Sequence, residues 1–222
     1  MGQSIVKDNI FKDGIIYGLT SDGIPFSKSI PYPNGVNYGL IIKPLYLEMK
    51  FRLPVILFFS GLPYHVGIIR YTKDTQDVYS FCPDLREPHR GTLLKDIKHE
   101  NPRSWFEQSE LCEIFWILDS PTDEFPSTYD KITARLIDGL NIKEIGIEEF
   151  NRRHGTTLGM NYNLLTNNCT NFALCILVGK SVCYQIDYIK PIILELLKKE
   201  EVISQLPDYA KYWISDFKDT SS

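Results

Sequence analysis

The stretch YNLLTNNCTNFALCILVGK, residues 162–180, decides how the rest of the chain is read. It opens with a polar, turn-prone run, Thr166-Asn167-Asn168, and then turns apolar with helical periodicity until Gly179 stops it. Asn167 or Asn168 can cap this helix by accepting a backbone N–H, which puts Cys169 in the first turn. There the unpaired amides and the positive end of the helix dipole favour a thiolate. A free thiol has a pKa of about 8.5, and such a setting with a cation nearby lowers it to roughly 3.5–7.5. The same amides can hold a developing oxyanion. Beside the Cys169 N–H, Asn168 and Asn171 are the candidate supporting donors. The segment therefore supplies a nucleophile and an oxyanion site but no base. A cysteine at a helix start is also an ordinary small buried hydrophobe, so the argument turns on whether a base exists.

Four histidines are available: His65, His89, His99 and His154. His89 in REPHRG and His99 in KDIKHENP sit among charged, loop-forming residues, which is the setting of solvated side chains. His154 in NRRHGTT falls at a helix end, where the dipole alone favours an imidazolium. His65 opens the apolar β segment YHVGIIRY, where a polar side chain needs a reason and a strand can hold it rigidly. His65 is the expected base, with His154 as the alternative.

The other cysteines have no helix-start context. Cys175 follows the apolar pattern of the same helix, Cys112 begins an apolar strand, and Cys82 and Cys183 read as structural. An odd count of five, with no charged-then-apolar leader in MGQSIVKDNIF, argues against a disulfide framework and for a reducing compartment. No CxxC, GxGxxG, P-loop or HExxH occurs, so neither a metal nor a cofactor is expected. The formal net charge of −4 provides no basic field for nucleic acid. The longest apolar run, Leu53 to Phe59, is too short to span a bilayer, so stable membrane insertion is not expected. Gly2 only partly matches a myristoylation signal, because position 6 is Val.

The 222 residues fit one domain with extensions. Residues 1–37 read as an N-terminal extension rich in turn residues, 38–200 as the domain, and 201–222 as a C-terminal tail. Strand patterns fall on 37–49, 53–59, 64–71, 78–82 and 111–118, with the polar TKDTQD as a hairpin connection. Helical spacing places apolar residues at 132, 136, 137 and 140, with Ser127 or Thr128 as the cap. IGIEEFNRRHG reads as a helix ended by Gly155, and a last helical region begins near Pro191. A strand-rich first half and a helix-rich second half predict an α+β fold, with an antiparallel sheet over 38–118 and mainly helix over 129–200.

LPYHVGIIRY followed far downstream by YNLLTNNCTNFALCILVGK resembles the PPPDE family of permuted papain-fold peptidases, which includes the desumoylating isopeptidases. His65, Gly67, Tyr162, Asn163, Leu164, Asn168, Cys169, Phe172 and Gly179 match its two blocks, and RGTLL (90–94) resembles one of its turn-and-strand segments. The likeness runs in order over about residues 38–190 and is strong only in the two blocks. Thr170 stands where the family has Asn, and TQDVYSFCP lacks its acidic-aromatic pattern. The resemblance implies a permuted papain-like fold, with an antiparallel sheet packed against helices and a Cys169–His65 dyad in which a cysteine at a helix N-terminus faces a histidine on a strand. It also implies a cysteine isopeptidase that cleaves after the C-terminal Gly-Gly of SUMO or ubiquitin. The partners would be a ubiquitin-like modifier and its protein conjugates, and the compartment cytoplasmic or nuclear. Two rivals remain. One is an LRAT-like thiol acyltransferase or phospholipase, whose members usually end in an apolar anchor unlike KYWISDFKDTSS. The other is a catalytically silent module that binds a ubiquitin-like protein.

Overall fold

The computed structural model describes residues 26–44, 64–83, 91–97, 112–119, 127–163 and 167–181, together with 198 and 204. The expected strand over 53–59, the histidines at 89 and 99, Cys183, the last helical region and the tail lie outside the described residues or nearly so.

Apolar and β-branched segments in the first half form six strands: β1 (Phe26–Ser27), β2 (Asn37–Pro44), β3 (Tyr64–Tyr71), β4 (Gln76–Pro83), β5 (Gly91–Ile97) and β6 (Glu113–Ile117). They make one sheet in the order β1-β6-β2-β3-β4-β5, antiparallel at every pairing. β3 and β4 are a hairpin closed by Thr72–Thr75, where the Thr75 N–H donates to Thr72 Oγ1 at 2.9 Å. β6 returns to lie between β1 and β2, a crossover that strand patterns do not reveal. β1 brings Phe26 and Ser27 into the sheet from the stretch expected to be an extension.

The second half supplies helices α1 (Thr128–Leu140), α2 (Ile142–Ile145), α3 (Ile147–His154) and α4 (Cys169–Val178). The molecule is thus α+β, with an antiparallel sheet packed against helices. Ser127 is the cap of α1, and its reciprocal bonding with Asp130 forms a capping box. Gly146, at φ 82°, separates α2 from α3. The buried stripe of α1 is Ile132, Leu136 and Gly139, whereas Ile137 and Leu140 are exposed, contrary to the apolar spacing of the sequence. The reason is close packing on α4: a Cβ on Gly139 would lie 3.2 Å from Ile176 Cδ1 and 3.3 Å from Phe172 Cζ. A glycine there lets the two helices approach.

α4 is buried along nine of its ten residues and packs across β3, β4 and β2. It belongs to the main core with Leu40, Ile42, Val66, Ile68, Tyr79, Phe81, Phe115 and Ile117. A helix apolar on all sides needs both ends satisfied internally. At its C-terminus Gly179 adopts the left-handed conformation at φ 75°. Arg135 of α1 donates to the carbonyls of Ile176 and Leu177, placing a cation at the negative end of the dipole.

Candidate active site

The N-terminus of α4 is organised by two asparagines. Asn168 is the N-cap, and its Oδ1 accepts from the N–H of Thr170 at 2.8 Å and of Asn171 at 3.4 Å. In return the Asn168 N–H donates to Asn171 Oδ1 at 3.0 Å. Cys169 is therefore the first residue of a capped helix, as the sequence predicted, and is only 5% exposed. Both carboxamide oxygens accept within the cap, and the groups able to donate to an oxyanion are the Nδ2 amides and the backbone N–H groups.

The rest of the motif also has structural work. Tyr162 is buried, with its ring 5.6 Å from Phe81, and Phe172 stacks on Phe81 at 5.0 Å with an 11° interplanar angle. Asn163 and Asn167 exchange backbone hydrogen bonds across an isolated bridge that leads the chain into the cap. Asn167 Nδ2 donates to the carbonyls of Gly159 and Asn161 at 2.8 and 2.7 Å. Tyr162, Asn163, Asn168, Phe172 and Gly179 can all be accounted for by the need to build and orient α4. Cys169 too belongs to the main core, at the first position of the capped helix.

His65 lies on β3, as expected, and is half-buried. Its Nε2 stands 3.5 Å from Cys82 Sγ, and Cys82 in turn is 3.6 Å from Ser80 Oγ. The β2–β3 register runs without a bulge from Asn37↔Tyr71 to Pro44↔Tyr64, so side chains alternate strictly. Val66 and Ile68 point into the core that contains α4. Ile69 points the other way, into a smaller cluster with Ile41, Val78 and Trp116. His65 shares the parity of Ile69, and Cys82 that of Val78. The pleat thus directs His65 and Cys82 to the face opposite α4. The two elements pack together, but the imidazole and the Cys169 thiol start from opposite sides of β3.

His154, the alternative base, ends α3. Its Nε2 lies 2.9 Å from Asp138 Oδ2 of α1, and its ring lies against Phe150 with centroids 4.9 Å apart. Arg153 meets the same carboxylate at 3.3 Å. This is a helix–helix tie. Cys175 is fully buried, and burial pushes its thiol up to about 11, with Thr156 and Arg135 pulling it part of the way back. It is a core residue, as expected.

Sequence reasoning missed Cys82. The signal is the hairpin register: with Thr72–Thr75 as the connection, paired residues sum to 147, as Ile68↔Tyr79 do, and His65 and Cys82 satisfy that sum, whereas a connection over the whole of TKDTQD does not bring them opposite each other. Among the described residues no three His, Cys, Asp or Glu side chains converge to hold a metal, and no helix is long and apolar enough to cross a membrane. One cavity of about 590 Å³, lined by residues that include Tyr32, Val36, Asp119 and Tyr129, contains none of the candidate site residues. No family model, curated protein or solved structure matches the chain.

Proposed function

We propose that this chain is a cysteine isopeptidase of permuted papain-like arrangement, which releases SUMO or ubiquitin by cleaving after the C-terminal Gly-Gly. Cys169 is the nucleophile and His65 the base. The observation that carries this reading is a thiol at the first position of a helix whose N-terminus is held by Asn168 and Asn171. In the reaction the Cys169 thiolate attacks the isopeptide carbonyl. The oxyanion is met by the Cys169 N–H and the helix dipole, with Asn168 or Asn171 Nδ2 as further donors. The lysine amine leaves with a proton from His65, and water then hydrolyses the thioester. The substrate class rests on the resemblance of the two sequence blocks, as does a cytoplasmic or nuclear setting.

The reading makes one structural demand. The His65 ring must leave Cys82 and reach Cys169, which requires the first residues of β3 to turn over. A second reading, a silent module that binds a ubiquitin-like protein, is favoured by that same observation and by the low exposure of Cys169. Incubation with SUMO– and ubiquitin–lysine isopeptide conjugates separates the two. The isopeptidase releases modifier, and Cys169→Ser abolishes release. The silent module binds the conjugates without cutting them.

A further inference from the structure

We propose that Cys82 and His65 form a second reactive thiol–imidazole pair, an alkylation- and peroxide-sensitive modification site on the face of the sheet away from α4. Three observations carry it. The thiol and the ring nitrogen are 3.5 Å apart on adjacent strands of one hairpin. His65 is held by an unbroken pairing of β3 with β2, and Cys82 by an unbroken pairing of β4 with β5, while the β3–β4 ladder itself runs as far as Ile68↔Tyr79. Both residues are half-buried, and a small reagent can reach them. Cys169, by contrast, is buried in the main core.

The chemistry balances without a cofactor. The Cys82 proton passes to His65 Nε2, leaving a thiolate beside an imidazolium. With a hydroperoxide the sulfur attacks one oxygen, an S–O bond forms and the O–O bond breaks. The departing oxygen takes the proton back from His65. Sulfur is oxidised to the sulfenic acid by two electrons, and the peroxide is reduced to an alcohol or water. If the isopeptidase reading holds, and only then, Cys82 and Cys169 compete for one imidazole, and modification of Cys82 changes turnover.

The test is alkylation of the reduced full chain with iodoacetamide at pH 6.5, with each cysteine followed by peptide mass spectrometry. Cys112 is the control, being half-buried and packed against the cluster on the same face. At that pH a free thiol is about 1% thiolate and an ion-paired one about half. This gain of about fiftyfold is offset about eightfold by lower nucleophilicity. Cys82 is therefore expected to react about sixfold faster than Cys112. His65→Gln should remove that excess; Cys169→Ala should leave it unchanged if Cys169 does not use His65 and raise it if the two thiols compete, which separates this site from the isopeptidase reading. Equal rates for Cys82 and Cys112, or an excess that survives His65→Gln, would overturn the proposal. Should His65→Gln not fold, the wild-type rate ratio from pH 6 to 9 decides. Among the described side chains, the titratable neighbour on that face of β3 is Tyr71. A ratio that falls with rising pH supports the pair, and a flat one refutes it. In a final arm, hydrogen peroxide followed by dimedone should tag Cys82 ahead of Cys112.

Discussion

The two faces of the sheet are built on different scales. The helix face joins Leu40, Val66, Ile68, Phe81 and Phe115 to the whole of α4 in one large core. On the opposite face, the buried hydrophobic residues among those described are Ile41, Ile69, Val78 and Trp116. Phe81 and Cys82 are adjacent in the chain yet belong to different environments: Phe81 stacks on Phe172, while Cys82 meets His65. One step along a strand moves a side chain through the sheet. A cysteine and a histidine singled out in two separate sequence blocks can therefore lie on the elements expected for them and still face opposite sides of the sheet.

The largest expected effect lies on the helix face. Phe172→Ala removes a buried ring stacked on Phe81 and should cost about 3–5 kcal/mol in urea denaturation. A loss under about 1 kcal/mol would mean that α4 is not the keystone of the larger core. The smaller face is probed by Gly39→Ala. A Cβ there would stand 2.9 Å from the Phe115 carbonyl oxygen, 3.1 Å from Trp116 Cε3 and 3.2 Å from Ile69 Cγ2. The backbone atom cannot step aside, so overpacking of about 1–3 kcal/mol is expected, read as a lower denaturation midpoint. A neutral result would show that face to be loosely packed.

Asn168→Ala should cost about 0.5–2 kcal/mol through loss of the cap. If Asn168 also meets the oxyanion, turnover per folded molecule should fall by about 10²–10³ beyond what stability explains. Unchanged turnover would leave it a cap alone. The smallest effect is expected for Asp138→Asn, which loosens the tie to His154 and Arg153. These groups are partly solvated, so about 0–1 kcal/mol is expected, and a larger loss would mark the α1–α3 contact as more rigid than its exposure implies.

Much of this architecture was legible in the chain. YHVGIIRY delimits β3 to the residue, whereas the polar connection read over TKDTQD shortens to Thr72–Thr75, because Gln76 and Asp77 already pair with Tyr71 and Arg70. Gly155 and Gly179 end their helices in the left-handed conformation that glycine favours, and the polar run before Cys169 does hold the cap. What was not legible depends on tertiary partners. The insertion of β6 between β1 and β2 is a long-range choice. The stripe of α1 runs through Gly139 because α4 lies there, which apolar counting cannot detect. The His65–Cys82 pair depends on the hairpin register, which the six-residue connection read from the sequence would set two residues off.

The proposal that Cys169 is the nucleophile has to stand against its burial and against an imidazole held on the other face. It is tested most directly by exposing the full chain to SUMO and ubiquitin probes carrying a C-terminal electrophile and mapping the adduct by peptide mass spectrometry. The account predicts an adduct on Cys169 that His65→Gln suppresses without preventing probe binding. An adduct on Cys82, or binding with no adduct on any cysteine, would contradict it.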